Sequence, residues 1–263
     1  MNIIQGTSSV FRFEWKRSLT LKRGIWWILL TAFPPALMLL IVATGGRPPS
    51  NEPVSIVTYI LCPGVVSILG VFLWATPWLS SELEGRSWVY LAVRPGGARA
   101  VLFGKYLAAV TWTIPAGLIA STLCVLILAS SDWLSLIWIQ WRLVVLSCCS
   151  YGAVFALIGT LFPKRAMVVG VFFTVLFEVV MALIPAAVNL LTVQFRLRCL
   201  FVRWLDWDAS ILPRRDVVFV AYFGDQSAAW HLGILIAMTL GLLAAAAILV
   251  NTREFTAETE SDV

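Results

Sequence analysis

Glu82, Glu84, Gly85, Arg86, Trp88, Arg94, Pro95, Arg99, Gly104 and Lys105 form the densest group of chemically capable residues in this 263-residue chain. Carboxylates and cations interleaved over so short a segment suit ion pairing and docking, not bond making. A phosphate-cradling loop needs G-x-x-x-x-G-K-[ST]. The nearest run, Gly97 to Tyr106, has the wrong spacing and Tyr where Ser or Thr should stand. Neither H-E-x-x-H nor G-x-S-x-G occurs. His231 is the single histidine and adjoins Trp230 at the rim of an apolar run, where boundary solvation explains it. No nucleophile–base or metal constellation can be assembled, so enzymatic activity is not expected of this chain. The five cysteines include no C-x-x-C, and neighbours such as Cys148 and Cys149 rarely bridge, so neither a disulfide framework nor a zinc site is implied.

Glu178 is a second point of chemical interest, the one acid deep inside an apolar run, in F-F-T-V-L-F-E-V-V-M. An ionisable group at that depth is costly and usually faces a cavity or a partner. It could line a pathway, meet a cationic substrate or accept a proton. It could equally make a structural hydrogen bond at a dimer seam, and Asn189, three turns further along a continuous helix, could share either role.

The elements that must position these residues follow from composition. Hydrophobic residues make up 60% of the chain and charged ones 13%, and mean hydropathy is +0.90. A soluble domain carries about 25% charged residues, so this surface is not built for water. Crossing a bilayer core takes about 20 apolar residues. Runs of that kind lie at about 25–45, 55–79, 105–129, 142–162, 167–192 and 229–250. They predict an all-α polytopic membrane protein, one permease-sized domain over 1–263 with six transmembrane helices. The first run has no small-residue cleavage site after it and is expected to stay.

Charge sets the orientation. Arg12, Lys16, Arg17, Lys22 and Arg23 precede the first run; Arg86, Arg94, Arg99 and Lys105 separate the second and third; Lys164 and Arg165 separate the fourth and fifth. Basic short loops stay in the cytoplasm, which puts both termini there in a multi-pass plasma-membrane protein. The +5 formal charge is thereby explained without nucleic acid. Over 8–23, Phe11, Trp15 and Leu19 recur every fourth residue opposite Arg12, Lys16 and Arg23, the pattern of a helix lying among lipid headgroups. Segment 193–228 mixes aromatics with Arg and Asp, too charged to span and too apolar for a free linker; short helices dipping into the outer leaflet, or a lid, would fit. The tail 251–263 is polar and acidic and reads as disordered.

The loop after the second run reads Glu82, Glu84, Gly85, Trp88, Leu91, Pro95, Arg99, Gly104, Lys105 in that order. Trp88, Leu91 and Ala92 fall at helical spacing, and Pro95-Gly96-Gly97 would close a short amphipathic helix. In this the chain resembles the transmembrane subunits of type-2 permeases (the ABC-2 family) of ATP-binding-cassette transporters. The likeness extends to the interfacial helix, the six spans and the larger last outer loop. It departs at Arg86-Ser87 and at Gly96-Gly97-Ala98, where the family often has other residues. The resemblance implies a permease subunit, more often an exporter, in a bacterial inner membrane. It would form a homodimer or heterodimer with a second permease, contact lipid, and dock a cytoplasmic ATPase. Glu82, Glu84, Gly85, Trp88, Arg94, Pro95 and Arg99 would be the coupling region. ATP and magnesium would be held in that partner, with no cofactor here.

Two other readings stay open on the residues alone. An ion-coupled secondary transporter would need its own coupling site, for which Glu178 is the candidate, and no pair of broken half-helices stands out. A non-transporting membrane scaffold would need only the spans.

Overall fold

A computed structural model of the chain describes residues 3–45, 51–85, 88, 96–128, 132–181, 187–206 and 224–253, and among these the regular structure is entirely helical. Five helical stretches are long and apolar enough to cross a membrane: α2 (Leu21–Gly45), α3 (Ser55–Glu84), α4 (Gly97–Leu128), α5 (Trp133–Leu161) and α8 (Ala228–Thr252). The expected sixth does not form as one rod. Its first part, α6 (Ala166–Phe173), widens into a π-helical turn over Thr174–Val180; a 3-10 turn follows at Ala187–Leu191, and α7 (Val193–Trp204) begins afresh. Within the predicted span 167–192, the described residues thus form an α-helix that widens into a π turn and, beyond 182–186, which lie outside the described residues, a 3-10 turn. Glu178 sits in the π turn, where the wider spiral releases the backbone from i→i−4 pairing.

The central post is α5, whose apolar window is 78% buried, against 22% for α2 and 28% for α8. It touches α3, α4, α6, α7 and α8, so α2 and α8 are left with wide apolar faces outward. Leu29, Leu40, Ile236 and Leu240 are among the side chains on those faces, and only lipid or another apolar surface suits them. The polar positions near the start of α5 explain why it begins earlier than the expected 142. Gln140 donates to the Ser55 carbonyl at 3.3 Å, and the Arg142 guanidinium lies 5.4 Å above the Trp204 ring. Hydropathy alone rejects such residues; their partners lie on other helices.

Proline shapes α3. Pro63 cannot donate, and the chain answers with a π turn over Ile60–Val66. Ser67 Oγ donates to the Cys62 carbonyl at 3.1 Å, and Ser147 Oγ of α5 donates to the Pro63 carbonyl. Pro77 bends the helix again (φ −84°, ψ 18°), after which a last turn runs Ser80–Glu84. The second bend leaves the Trp78 carbonyl open to a partner from α4.

Before α2 lies α1 (Ile3–Ser18). It starts earlier than the expected 8–23 and stops at Ser18, so Leu19 is exposed in the link and Lys22 and Arg23 belong to α2. Rather than only floating at a surface, α1 lies along α4. Its inward stripe is Gly6, Val10, Glu14 and Ser18, at intervals of four. Gly104 makes the approach possible: a Cβ there would come within 2.6 Å of Val10 Cγ1 and 3.2 Å of the Phe11 nitrogen.

Chain directions follow from cross-helix contacts. Trp78 Nε1 donates to the Ala156 carbonyl at 2.9 Å, Ser150 and Thr239 hydroxyls meet at 2.9 Å, and Arg253 Nη1 donates to the Leu161 carbonyl at 3.2 Å. Hence α8 runs parallel to α5, and the end of α3, the start of α4 and the end of α8 gather at the Leu161 end of the bundle. At that end Trp78, Leu79, Trp88, Ala98, Leu102, Ala246 and Val250 share one apolar cluster, with Val10 of α1 packed against it.

Candidate functional site

Lys105 is the hub of the charged segment. Its ammonium is buried and ion-paired with Glu82, donates to the Trp78 carbonyl at 3.1 Å and to Ser81 Oγ at 3.0 Å, and lies 3.8 Å from Glu14 Oε1. Its three donor directions are thus used, which is the condition for keeping a charge out of water. Glu82 is buried with it. The cluster fastens α1, the end of α3 and the start of α4 into one unit. Arg17 adds a weaker link to Glu14 at 3.9 Å from the exposed side of α1.

The remaining predicted coupling residues divide by burial. Trp88 is buried and meets Trp78 edge-on, ring centres 6.3 Å apart and planes at 70°, so the chain is anchored at this residue by an indole. Gly85 closes the last turn of α3, its N–H donating to the Ser81 carbonyl at 3.2 Å. Glu84 is exposed at the root of the loop, and Arg99 is exposed in the first turn of α4. Arg94 and Pro95 lie outside the described residues, as do Leu91 and Ala92 of the expected amphipathic helix. Because α4 begins at Gly97, part of what reads as loop in the sequence is helix: Ala98, Val101 and Leu102 face the cluster while Arg99 faces away. Glu14 is the participant that the sequence reading passed over. Its signal was there, an acid in the stripe Gly6–Val10–Glu14–Ser18.

Glu178 and Asn189 meet around one helix start, not three turns apart. Glu178 Oε2 accepts from Tyr151 Oη at 2.7 Å and from the Gln194 N–H at 3.0 Å, and Oε1 accepts from the Val193 N–H at 3.3 Å. The carboxylate therefore caps α7, where the unpaired N–H groups and the positive end of the helix dipole stabilise a negative charge. Thr192 completes the cap. Its hydroxyl accepts from the Phe195 N–H at 3.1 Å and donates to Asn189 Oδ1 at 3.2 Å. These three contacts come from α5 and from the start of α7. An apolar cavity of about 400 Å3 runs past it between α5, α6, α7 and α8, walled by Ile158, Phe173, Phe177, Met238 and Leu242.

From Tyr151 level, α7 runs antiparallel to α5 and ends beside Arg142. It is no surface loop: Phe195, Leu197 and Leu200 are fully buried, and Phe201 stacks on Tyr59 at 4.6 Å. Arg196 Nη1 meets His231 Nδ1 at 3.1 Å, so His231 is engaged with α7 rather than with a rim of solvent. The remainder of the expected outer segment, 207–223, lies outside the described residues.

Compared with protein-family models, curated proteins and solved structures, the chain matches none.

Proposed function

We propose that this chain is the permease subunit of an ATP-driven transporter of the ABC-2 type, most readily an exporter. A separate cytoplasmic ATPase would dock on the 82–105 segment. The single observation that carries this reading is the buried Glu14–Lys105–Glu82 cluster beneath that segment. A loop that only closes two spans needs no such foundation. A loop that must move spans does, because a push on it is useful only if its roots do not yield. Here both roots and the interfacial helix are fastened together, and Trp88 holds the loop itself to them. Glu84 and Arg99 stand exposed beside this anchor, as contact residues should. Arg94 and Pro95 keep the roles that the resemblance implies.

In this reading the Leu161 end faces the cytoplasm, as the basic loops require, and both termini lie there. The broken α6–α7 segment then completes a sixth crossing, with α7 in the outer half. The wide apolar faces of α2 and α8 suit lipid and a second permease. ATP and magnesium belong to the ATPase.

The test is purification of the tagged chain from its native membrane in mild detergent, followed by mass spectrometry of stoichiometric companions. A soluble protein with Walker A and signature motifs is expected, and its yield should fall when Glu84→Lys and Arg99→Glu are combined. Recovery of the chain alone, or only with other membrane proteins, sinks the proposal. In that event an ion-coupled secondary transporter leads, since a broken helix with an acid at the break is the usual architecture of a coupling site.

A further inference from the structure

The geometry points to a binding site for the phosphate headgroup of an anionic phospholipid, between α1, α2, α3 and α4 at the Leu161 end of the bundle. A cavity of about 280 Å3 lies there, walled by Glu14, Ser18, Arg23, Trp26, Trp74 and Lys105 among others. That is just below the usual size of a ligand pocket, about 300–1,000 Å3, and suits a headgroup rather than a whole amphiphile.

What the walls leave unsatisfied defines the ligand. Lys105 is spent on Glu82, Trp78 and Ser81, and Glu14 is balanced by Lys105 and Arg17. Arg23 donates one bond, to Ser18 Oγ at 2.6 Å, and forms an ion pair with no carboxylate among the described residues. The Trp74 indole, stacked on Trp112 (centroids 6.4 Å, planes at 14°), forms part of the wall through its ring, its Nε1 being buried away from the cavity. The unfilled group at the wall is thus a cationic donor. Of the charged groups at the cavity and its cluster, Arg17, Arg23 and Lys105 outnumber Glu14 and Glu82, leaving one positive charge. The complement is an anion with several acceptor oxygens.

Position decides between a free anion and a lipid. Trp26 is 62% exposed at the mouth, and Leu73, Ala108 and Ala109 continue the wall as apolar surface. Lys16, Arg17 and Lys22, close in sequence to the lining Ser18 and Arg23, are further exposed cations. A phosphate held by Arg23 would thus have apolar helix faces for its chains and exposed cations near it in sequence, the environment of an anionic leaflet. The site ties the lipid to the helix that the ion-pair cluster locks to α4. It rests on α1 lying at a membrane face, not on the identity of any ATPase.

The test uses the full chain in detergent, titrated with dioleoyl phosphatidylglycerol or dioleoyl phosphatidylcholine and read by native mass spectrometry. Preferential retention of phosphatidylglycerol is expected. Arg23→Gln should weaken it about fivefold, the effect of about one basic residue at an anionic surface. Trp74→Phe, which keeps the stacked ring and removes only a buried N–H, should leave it unchanged. Equal retention of both lipids overturns the proposal, as does phosphatidylglycerol binding that Arg23→Gln does not change. Displacement of the lipid by inorganic phosphate alone would overturn the lipid assignment in favour of a soluble anion.

Discussion

Lys105 of α4 and Glu82 of α3 form a buried ion pair that closes the base of the loop between their helices. Both side chains are buried in this single chain, so Glu82, which reads as a docking residue in the sequence, is held inward by Lys105.

Removing one partner of a buried pair strands the other, a loss of about 3–5 kcal/mol. Lys105→Met is therefore expected to lower the unfolding temperature in detergent strongly, since two carboxylates lose their counter-charge. Replacing both partners with apolar residues, Lys105→Met with Glu82→Leu, should recover much of that loss. A double variant no more stable than Lys105→Met alone would show that the pair is not the unit that matters.

Much of the architecture was legible because hydropathy is additive along a span. Five apolar runs became helices near their expected places. What was not legible depends on partners distant in sequence. Glu178 looked like a lone acid in a continuous helix because its partners, the N–H groups of Val193 and Gln194, belong to a helix start further on. Arg142 and Gln140 shortened the predicted fourth span because window averages cannot know of Trp204 or the Ser55 carbonyl. The Gly104–Lys105 pair was visible as a motif, but its physical content, a close approach by α1 followed by a cation reaching Glu14, needed coordinates.

Gly104 offers a direct test of that approach. A side chain there would collide with Val10 and with the α1 backbone, so Gly104→Leu should lift α1 from α4. Gly24→Ala in α2 is the control: nothing lies within 4 Å of its Cβ, and helix propensity favours Ala. Hydrogen exchange across residues 6–18 should accelerate in the first variant and stay unchanged in the second. Unchanged protection in Gly104→Leu would mean that α1 is not held by this contact.

The cap on α7 can be tested at single amides. Glu178→Ala removes the acceptor for two N–H groups and for Tyr151 Oη, with a loss of about 1–3 kcal/mol for donors left buried. Glu178→Gln keeps one carbonyl oxygen and should lose less. Exchange at Val193 and Gln194 is expected to rise in the order wild type, Gln, Ala. If both variants transport normally while these amides open, Glu178 serves the fold and not the pathway.

Trp88 and Arg99 should separate anchoring from contact. Trp88 fills a buried cluster with Trp78, Leu102 and Val250, so Trp88→Ala opens a cavity and is expected to cost about 3–5 kcal/mol locally. Arg99 is exposed, and Arg99→Glu should leave the unfolding temperature within about 0.5 kcal/mol equivalent of wild type. Yet under the proposed function both lower ATPase capture, one by loosening the loop and the other by reversing a contact charge. Capture by the Trp88 variant should improve when residue 88 is cross-linked to α4, because the attachment at that residue is what was lost. Capture by the Arg99 variant should improve only with a compensating charge on the partner, because order was never lost. Rescue of the Arg99 variant by the cross-link would erase that distinction and return Arg99 to the role of a structural residue.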